Sequence, residues 1–470
     1  MKMRSCNNLT LGLMQFRHVL LTIILLALFA QLKVFGQTTY REFSTNELQA
    51  DFNVLRKKYE HNLANLYLYT SKQRLDKLFD SLYLHIKPMT ELEFYSYVTP
   101  LSSVIKDGHS NIFPSEQTTR QHDQQAKFFP FNIYWVDNKL FISMNLCNDT
   151  TIHVGTEILS INGISSEEVM TYLLTRQVRD GNNETYALWI LNNYFREYFS
   201  YHFGHPDNYS LNIKSENSSE KKVIVPALSK QVISSNRTSR YLKSTNDIPT
   251  NFYIDSTRSA AIFTIKTWDN KKLIKEIDFV FSQLQQNKID NLILDLRDNQ
   301  GGNSSPTIYL LSYLLDQPFQ YFMGIKSVEG NTDTSQILKN RIGKMLGTCQ
   351  AMKNPYKGRL YILINGGSFS NTGSFCSRIE LYKRGIFIGE ETGGNKAVFS
   401  GVFGLKEKTV LPKTKIKCDN ANYQLIVTDI NENTGHGVIP DYSVIPTIDD
   451  IVEKKDVILN AALDLIKRNP

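Results

Sequence analysis

A serine, a histidine and two glycine-rich turns stand out in this 470-residue chain as groups that could do chemistry together. Ser370 lies in NGGSFSNTGSF, Asn365 to Phe375, directly after the apolar run RLYILIN. The order reads as strand, tight turn, helix. A helix N-terminus leaves backbone N–H groups without intrahelical partners and carries positive potential, so a nucleophile there has amides beside it, that of Asn371 included. The other reading is that Ser370 only caps the helix, as serines commonly do. The second turn follows the apolar run NLILDLR and holds Gly301 and Gly302. Without side chains, such a turn lets backbone amides approach a substrate and face a developing oxyanion. KDGHS, Lys106 to Ser110, is expected to break a helix at Gly108 and present His109. A serine hydroxyl is a poor nucleophile until a base takes its proton, and a neutral imidazole is such a base. Activity would then rise as that imidazole loses its proton. The other reading of His109 is a hydrogen-bonded structural histidine.

Four segments follow one another along the chain: LDLRDNQGG from Leu294, NGGSFSNTGSFCSRI from Asn365, IGEETGGN from Ile388 and GHGVIPD from Gly435. In this order they resemble the catalytic core of the C-terminal processing, or tail-specific, serine peptidases. The resemblance implies an α/β core of the crotonase-like type, peptide-bond hydrolysis through an acyl-enzyme, and no cofactor. It places the nucleophile at Ser370 and the oxyanion donors at Gly301, Gly302 and Asn371. Many members use a lysine base in the segment matching IGEETGGN. That position is Asn395 here, which cannot act as a base, and Lys396 is one residue away. A second group, resembling the tricorn core, uses a histidine from the N-terminal region and a glutamate near the C-terminus. DGHS supplies His109, and NENTGHGVIPD offers Glu432, with Asp429 three residues earlier. The triad this implies is Ser370, His109 and Glu432, with His436 and Lys396 as the alternative bases. Asp295 and Asp441 are expected to brace loops, Arg297 pairing with one of them. The same core without catalysis would be a peptide- or hydrophobic-ligand-binding protein, and the departure at Asn395 keeps that alternative open.

These residues need a scaffold. Ser44 followed by Glu47 reads as a capping box, and Leu48, Phe52, Leu55 and Tyr59 recur at helical spacing, as do Leu75, Leu78, Phe79 and Leu82. Residues 37–127 are therefore expected to form an N-terminal helical bundle. FFPFNIYWV and KLFISMNL read as a hairpin about Asp137 and Asn138. VGTEILSINGISSEEVMTYLL, Val154 to Leu174, has a strand, an Asn162-Gly163 turn and a helix starting near Ser165 or Ser166. That order resembles a PDZ domain, which binds the extended C-terminus of a peptide by strand addition, and the insert is assigned to 128–228. No candidate catalytic residue falls inside it, so the insert is expected to deliver substrate and leave the chemistry to the core; the competing reading is that it props the site into an active shape. A polar stretch, 229–250, reads as a linker. Over 251–470 apolar strands alternate with helical runs, which argues an α/β core.

Composition excludes other classes. The chain is 41% hydrophobic and 21% charged, which suits two or three globular domains. A basic stretch, the apolar run Val19 to Ala30 and Gly36 read as a secretory signal over 1–36, too short to span a bilayer comfortably, which takes about 20 apolar residues. Export to the periplasm or medium of a bacterium is the expectation, with no membrane contact once the signal is cleaved. Lys2, Arg4, Arg17 and Lys33 leave with the signal and no acid does, so 49 basic and 46 acidic residues remain, a net charge of +3. No basic block with interleaved aromatics asks for nucleic acid. The cysteines form no CxxC pair, HExxH is absent, and neither GxGxxG nor a P-loop occurs, so no metal or nucleotide is implied.

Overall fold

The computed structural model describes residues 41–468 except 216–218, 242–247, 256, 258, 328–344, 402–406, 422 and 430–433. The segment read as a secretory signal and Glu432 lie outside the described residues. Helix α1 (Thr45–Asn62) opens with the capping box: Ser44 Oγ accepts the Glu47 N–H and the Glu47 carboxylate accepts the Ser44 N–H. Its stripe of Leu48, Phe52, Leu55 and Tyr59 packs with Leu75 and Phe79 of α2 (Lys72–Leu84) and Phe94 and Val98 of α3 (Glu91–Val98). Leu411, Ile416 and Cys418 from the far end of the chain complete that cluster. Helix α4 (Pro100–Ile105) ends at Lys106, whose φ of 62° turns the chain left-handed two residues before the expected break. Gly108 is needed for another reason, given below. Helix α5 (Glu116–Gln125) follows.

The insert is a twisted antiparallel sheet. Strands β1 (Phe131–Val136) and β2 (Lys139–Asn145) join through Asp137 and Asn138, both at positive φ, the pattern of a tight two-residue hairpin. Strands β3 (Glu157–Ile161) and β4 (Ile164–Ser165) turn at Asn162-Gly163, and Ser165 caps α6 (Ser166–Leu174). Helix α7 (Thr185–Phe203) carries no sequence signal that announced it. Its first residue has no side-chain cap, and it buries two faces: Leu191, Phe195 and Phe199 enter the insert core, while Tyr186 and Ile190 meet Phe369. A helix apolar on two sides shows no single amphipathic stripe. Strands β5 (Asn208–Lys214) and β6 (Lys221–Pro226) complete the order β6-β5-β3-β2-β1. The stretch read as a linker contains α8 (Lys230–Arg240), capped by Ser229 and anchored by Ile233 against Phe128 and Leu146. A single buried apolar residue in a polar helix is too faint a period to read.

The core is a mixed sheet of β7 (Thr250–Asp255), β8 (Ala260–Ile265), β9 (Asn291–Asp295), β10 (Arg359–Ile364), β11 (Ile386–Gly389) and β12 (Tyr442–Ser443), in that order. Strand β7 is antiparallel to β8; β8 to β12 run parallel. Alternate side chains explain the continuous apolar runs. Phe263, Leu292, Leu294 and Ile362 face α9 (Leu273–Gln286), α10 (Ser304–Leu314) and α11 (Asn371–Leu381). Ile262, Ile293, Tyr361 and Leu363 face Ile458, Ala462 and Ile466 of α12 (Val457–Arg468). Each such side chain, fully buried, contributes about 1.5–3 kcal/mol. The parallel strands all point their C-terminal ends at one edge, where open α/β sheets hold their ligands. Ser370 and both glycine turns lie on loops leaving that edge.

Candidate active site

Ser370 is the first residue before α11, and its hydroxyl makes no bond to the helix it precedes. Its backbone sits at φ 54°, ψ −122°, a region disfavoured for a side-chain-bearing residue. Holding it there costs about 1–3 kcal/mol, which the surrounding loop must offset. That loop is well pinned: Ser368 Oγ donates to Leu296 O and accepts the Asn365 N–H, and Phe369 N–H donates to Asn299 O. The turn lifts Ser370 Oγ toward His109. Their separation, Oγ to Nε2, is 2.9 Å across 261 positions of sequence.

His109 is positioned by the loop after α4. Asp107 Oδ1 accepts the His109 N–H and the Ser110 hydroxyl. The imidazole stacks on Phe369, centroids 4.8 Å apart, with Phe399 5.8 Å away. Gly108 lets the loop lie flat there: a Cβ would fall 2.7 Å from Asp180 Oδ1 and 2.8 Å from the Phe369 ring.

The Gly301-Gly302 turn meets the same point. Gly301 and Gly302 have φ of 103° and 124°, and a Cβ on Gly301 would sit 2.9 Å from Ser370 Cβ and 3.0 Å from the Asn371 nitrogen. One expectation is corrected: the Gly301 N–H already donates to Asn299 Oδ1 at 3.0 Å, so it is not an oxyanion donor. Its contribution is clearance. Asn299 is wholly buried and cross-links this turn to β8 through Ile265 O. Of the other two candidate donors, Asn371 follows Ser370 directly at the start of α11, and Gly302 follows Gly301. Asn371 is itself held by its side chain, which donates to Asn303 O and accepts from Tyr321 OH at 2.6 Å.

The two alternative bases are engaged with carboxylates. Lys396 Nζ pairs with Glu380 at 3.1 Å, at the far end of α11 from Ser370. His436 Nδ1 is 3.1 Å from Glu391, whose other bond is from the Gly437 N–H. Asn395 is structural: its Nδ2 donates to Tyr69 OH and its Oδ1 accepts from Ala397 and Val398 N–H. Arg297 bridges Asp295 and Asp456 in two bidentate pairs. Asp441 accepts the Phe387 N–H and so ties the last loop to β11.

Sequence reasoning missed Asp180, Asn182, Asn183 and Tyr186, which belong to the insert yet build this site. These bonds tie the insert to the loops that carry His109 and Ser370. Asp180 accepts from Gly108 N–H and Asn395 N–H, Asn182 N–H donates to Gly435 O, and Asn183 Nδ2 donates to Thr392 O. Tyr186 lies face to face on Phe369. The only signal in RDGNNET is its turn composition, which does not say what the turn touches. Beside it, Trp189 Nε1 donates to Asp298. Burial would raise the Asp298 carboxyl, but Lys266 and the bonds from Asn365 and Trp189 outweigh it and hold it below the ordinary range. The free edge of β1 is covered by α7: Asn192 Oδ1 accepts the Trp135 N–H, and Arg196 donates to Phe131 O. A cleft of about 850 Å³ opens between that edge, α7 and the core loops, lined in part by Trp135, Trp189, Lys266, Asp298 and Glu390. Among the described residues no cluster of three or more His, Cys, Asp or Glu could hold a metal ion.

Residues 259–444, from β8 to β12, match peptidase family S41. This stretch is a peptidase family S41 domain. Over 131 residues the chain is 28% identical to the tail-specific protease of Haemophilus influenzae, a match covering 27% of this chain and 16% of that protein. The fold as a whole is similar to that of mature CPAF complexed with lactacystin, with a TM-score of 0.62 and 14% identity over 91% of this chain and 99% of that one. Mature CPAF alone gives 0.61 and 14% over 90% and 98%. At this identity the likeness speaks for the fold. Ser370, the Gly301-Gly302 turn and Lys396 lie inside the S41 stretch; His109 and Asp180 lie outside it.

Proposed function

We propose that this protein is an exported serine endopeptidase that cuts unfolded or C-terminally exposed segments of other proteins. The observation that carries the reading is the 2.9 Å approach of His109 Nε2 to Ser370 Oγ, with that hydroxyl withdrawn from capping its own helix. In the proposed cycle Nε2 takes the Ser370 proton as Oγ bonds to the scissile carbonyl carbon. The oxyanion is received by the N–H groups of Gly302 and Asn371. Collapse breaks the C–N bond, and the imidazolium gives its proton to the departing amine. Water, deprotonated by His109, then attacks the acyl-enzyme and frees Ser370. Glu432 is the proposed third member, orienting the imidazole. The insert is proposed to be PDZ-like and to present peptide ends along the cleft beside β1.

A fluorophosphonate probe tests the chemistry. It should attach to Ser370, located by mass spectrometry of the labelled peptide, and not to a Ser370→Ala variant. Equal labelling of both proteins, or none of either, would return the fold to a non-catalytic binding role.

A further inference from the structure

The segment between α6 and α7 is far from Ser370 in sequence, yet it bonds to three loops of the site at once. Asp180 is its centre. The side chain is 3% exposed, one oxygen accepts the Gly108 N–H at 2.7 Å, and the other accepts the Asn395 N–H at 3.3 Å. Gly108 is the residue before His109. Asn395 follows Gly394, whose N–H donates to Ser368 O and whose Cα lies where a Cβ would come within 2.9 Å of the Ser370 nitrogen. One carboxylate therefore joins the loop that presents the imidazole to the loop that backs the serine. The neighbouring bonds repeat the pattern: Gly181 N–H donates to Lys106 O, and Lys106 Nζ donates to Asn182 Oδ1.

We propose that Asp180 is a positioning residue for this site, setting His109 through the amide of Gly108 and the loop behind Ser370 through the amide of Asn395. The proposal rests on the reading of Ser370 and His109 given above. Two backbone donors call for two acceptor oxygens. The ionised carboxylate supplies both, whereas a protonated one has an O–H turned toward a donor. Burial, reinforced by Asp107, pushes the Asp180 carboxyl up to about 7, so the change between these forms falls in the working range. The titratable groups facing it are Asp107, from the loop after α4, and Tyr186, from α7. The other polar side chains nearby are turned to partners of their own: Arg179 to Glu184, Lys396 to Glu380 and His436 to Glu391.

The test is the rate of fluorophosphonate labelling of the full chain as a function of pH. Two groups must then lose protons for activity, Asp180 and His109. The logarithm of the rate should climb on the acid side with a slope approaching about 2, and with a slope of about 1 in Asp180→Asn. At about pH 8 the Asn variant, with one acceptor oxygen left, should label roughly tenfold more slowly, and Asp180→Ala more slowly still. A role in folding alone would lower thermal stability without changing the slope. A slope of about 1 in the unaltered protein, which needs no variant to fold, overturns the proposal, as does an unchanged slope in Asp180→Asn. Labelling that survives Ser370→Ala instead removes the serine-peptidase reading, and the proposal falls with it.

Discussion

The ring of Tyr186 lies on the ring of Phe369 with centroids 3.8 Å apart and planes within 4° of parallel. Phe369 in turn stacks on His109, so a column of three rings runs from α7 to the imidazole. Stacked pairs of this kind are worth about 0.5–1.5 kcal/mol beyond the area they bury. Tyr186→Ala should therefore slow labelling of Ser370 by at least about tenfold, while Tyr186→Phe, which keeps the ring, should label near the normal rate. Comparable losses in both variants would mean that the hydroxyl, not the stack, holds the column.

Replacement of the proposed nucleophile and base should be far more costly. Ser370→Ala and His109→Ala should each lower peptide hydrolysis by roughly 10⁴-fold or more, and the double variant should be little worse than either. Lys396→Ala should stay within about threefold, since the Lys396–Glu380 pair is partly solvated and contributes little. Hydrolysis that survives loss of His109 but not of Lys396 would show that the base had been misassigned.

Gly301 tests clearance separately from hydrogen bonding. An added methyl would stand 2.9 Å from Ser370 Cβ on a backbone of positive φ, although the Gly301 amide is no oxyanion donor. Gly301→Ala should cost at least about 100-fold in labelling rate, the loss that misplacing a reacting group produces. A near-normal rate would mean that the turn relaxes.

Away from the site, His122 and His205 should make the fold sensitive to acid. Their ring nitrogens lie 3.1 Å apart, and the His205 Nδ1–H donates to Lys127 O. Burial, with His205 adding to it, depresses His122 to about 3, and burial also lowers His205. A folded-state value below the unfolded one means that the unfolded chain binds the proton more tightly. The stability is therefore present above about 6.5 and is lost as the pH falls toward about 3. His122→Asn should flatten the dependence of melting temperature on pH across that window, as thermal melts followed by circular dichroism would show. An equally steep acid decline in the variant would place the sensitivity in other groups.

The local order of the chain was enough to read α1 with its capping box, the β1–β2 hairpin, the strand β3 with its Asn162-Gly163 turn, the strands β8 to β11, and the strand–turn–helix around Ser370. Each of these is set by period, turn residues and caps within about ten residues of itself. The glycines of the Gly301-Gly302 turn were legible for the same reason, because a pair of glycines after an apolar strand marks a turn where the backbone must come close to another group. Tertiary structure decided which loops meet. No local rule says that the turn after α4 reaches Ser370, that Asn299 takes the Gly301 amide, or that Glu380 draws Lys396 away. Helix α7, whose two buried faces join the insert to the core, brings Tyr186 onto Phe369, and the turn before it brings Asp180 to the amide of Gly108. A contact between residues hundreds of positions apart depends on how whole elements fill the space between them, and that information is spread over the core and absent from any short stretch of sequence.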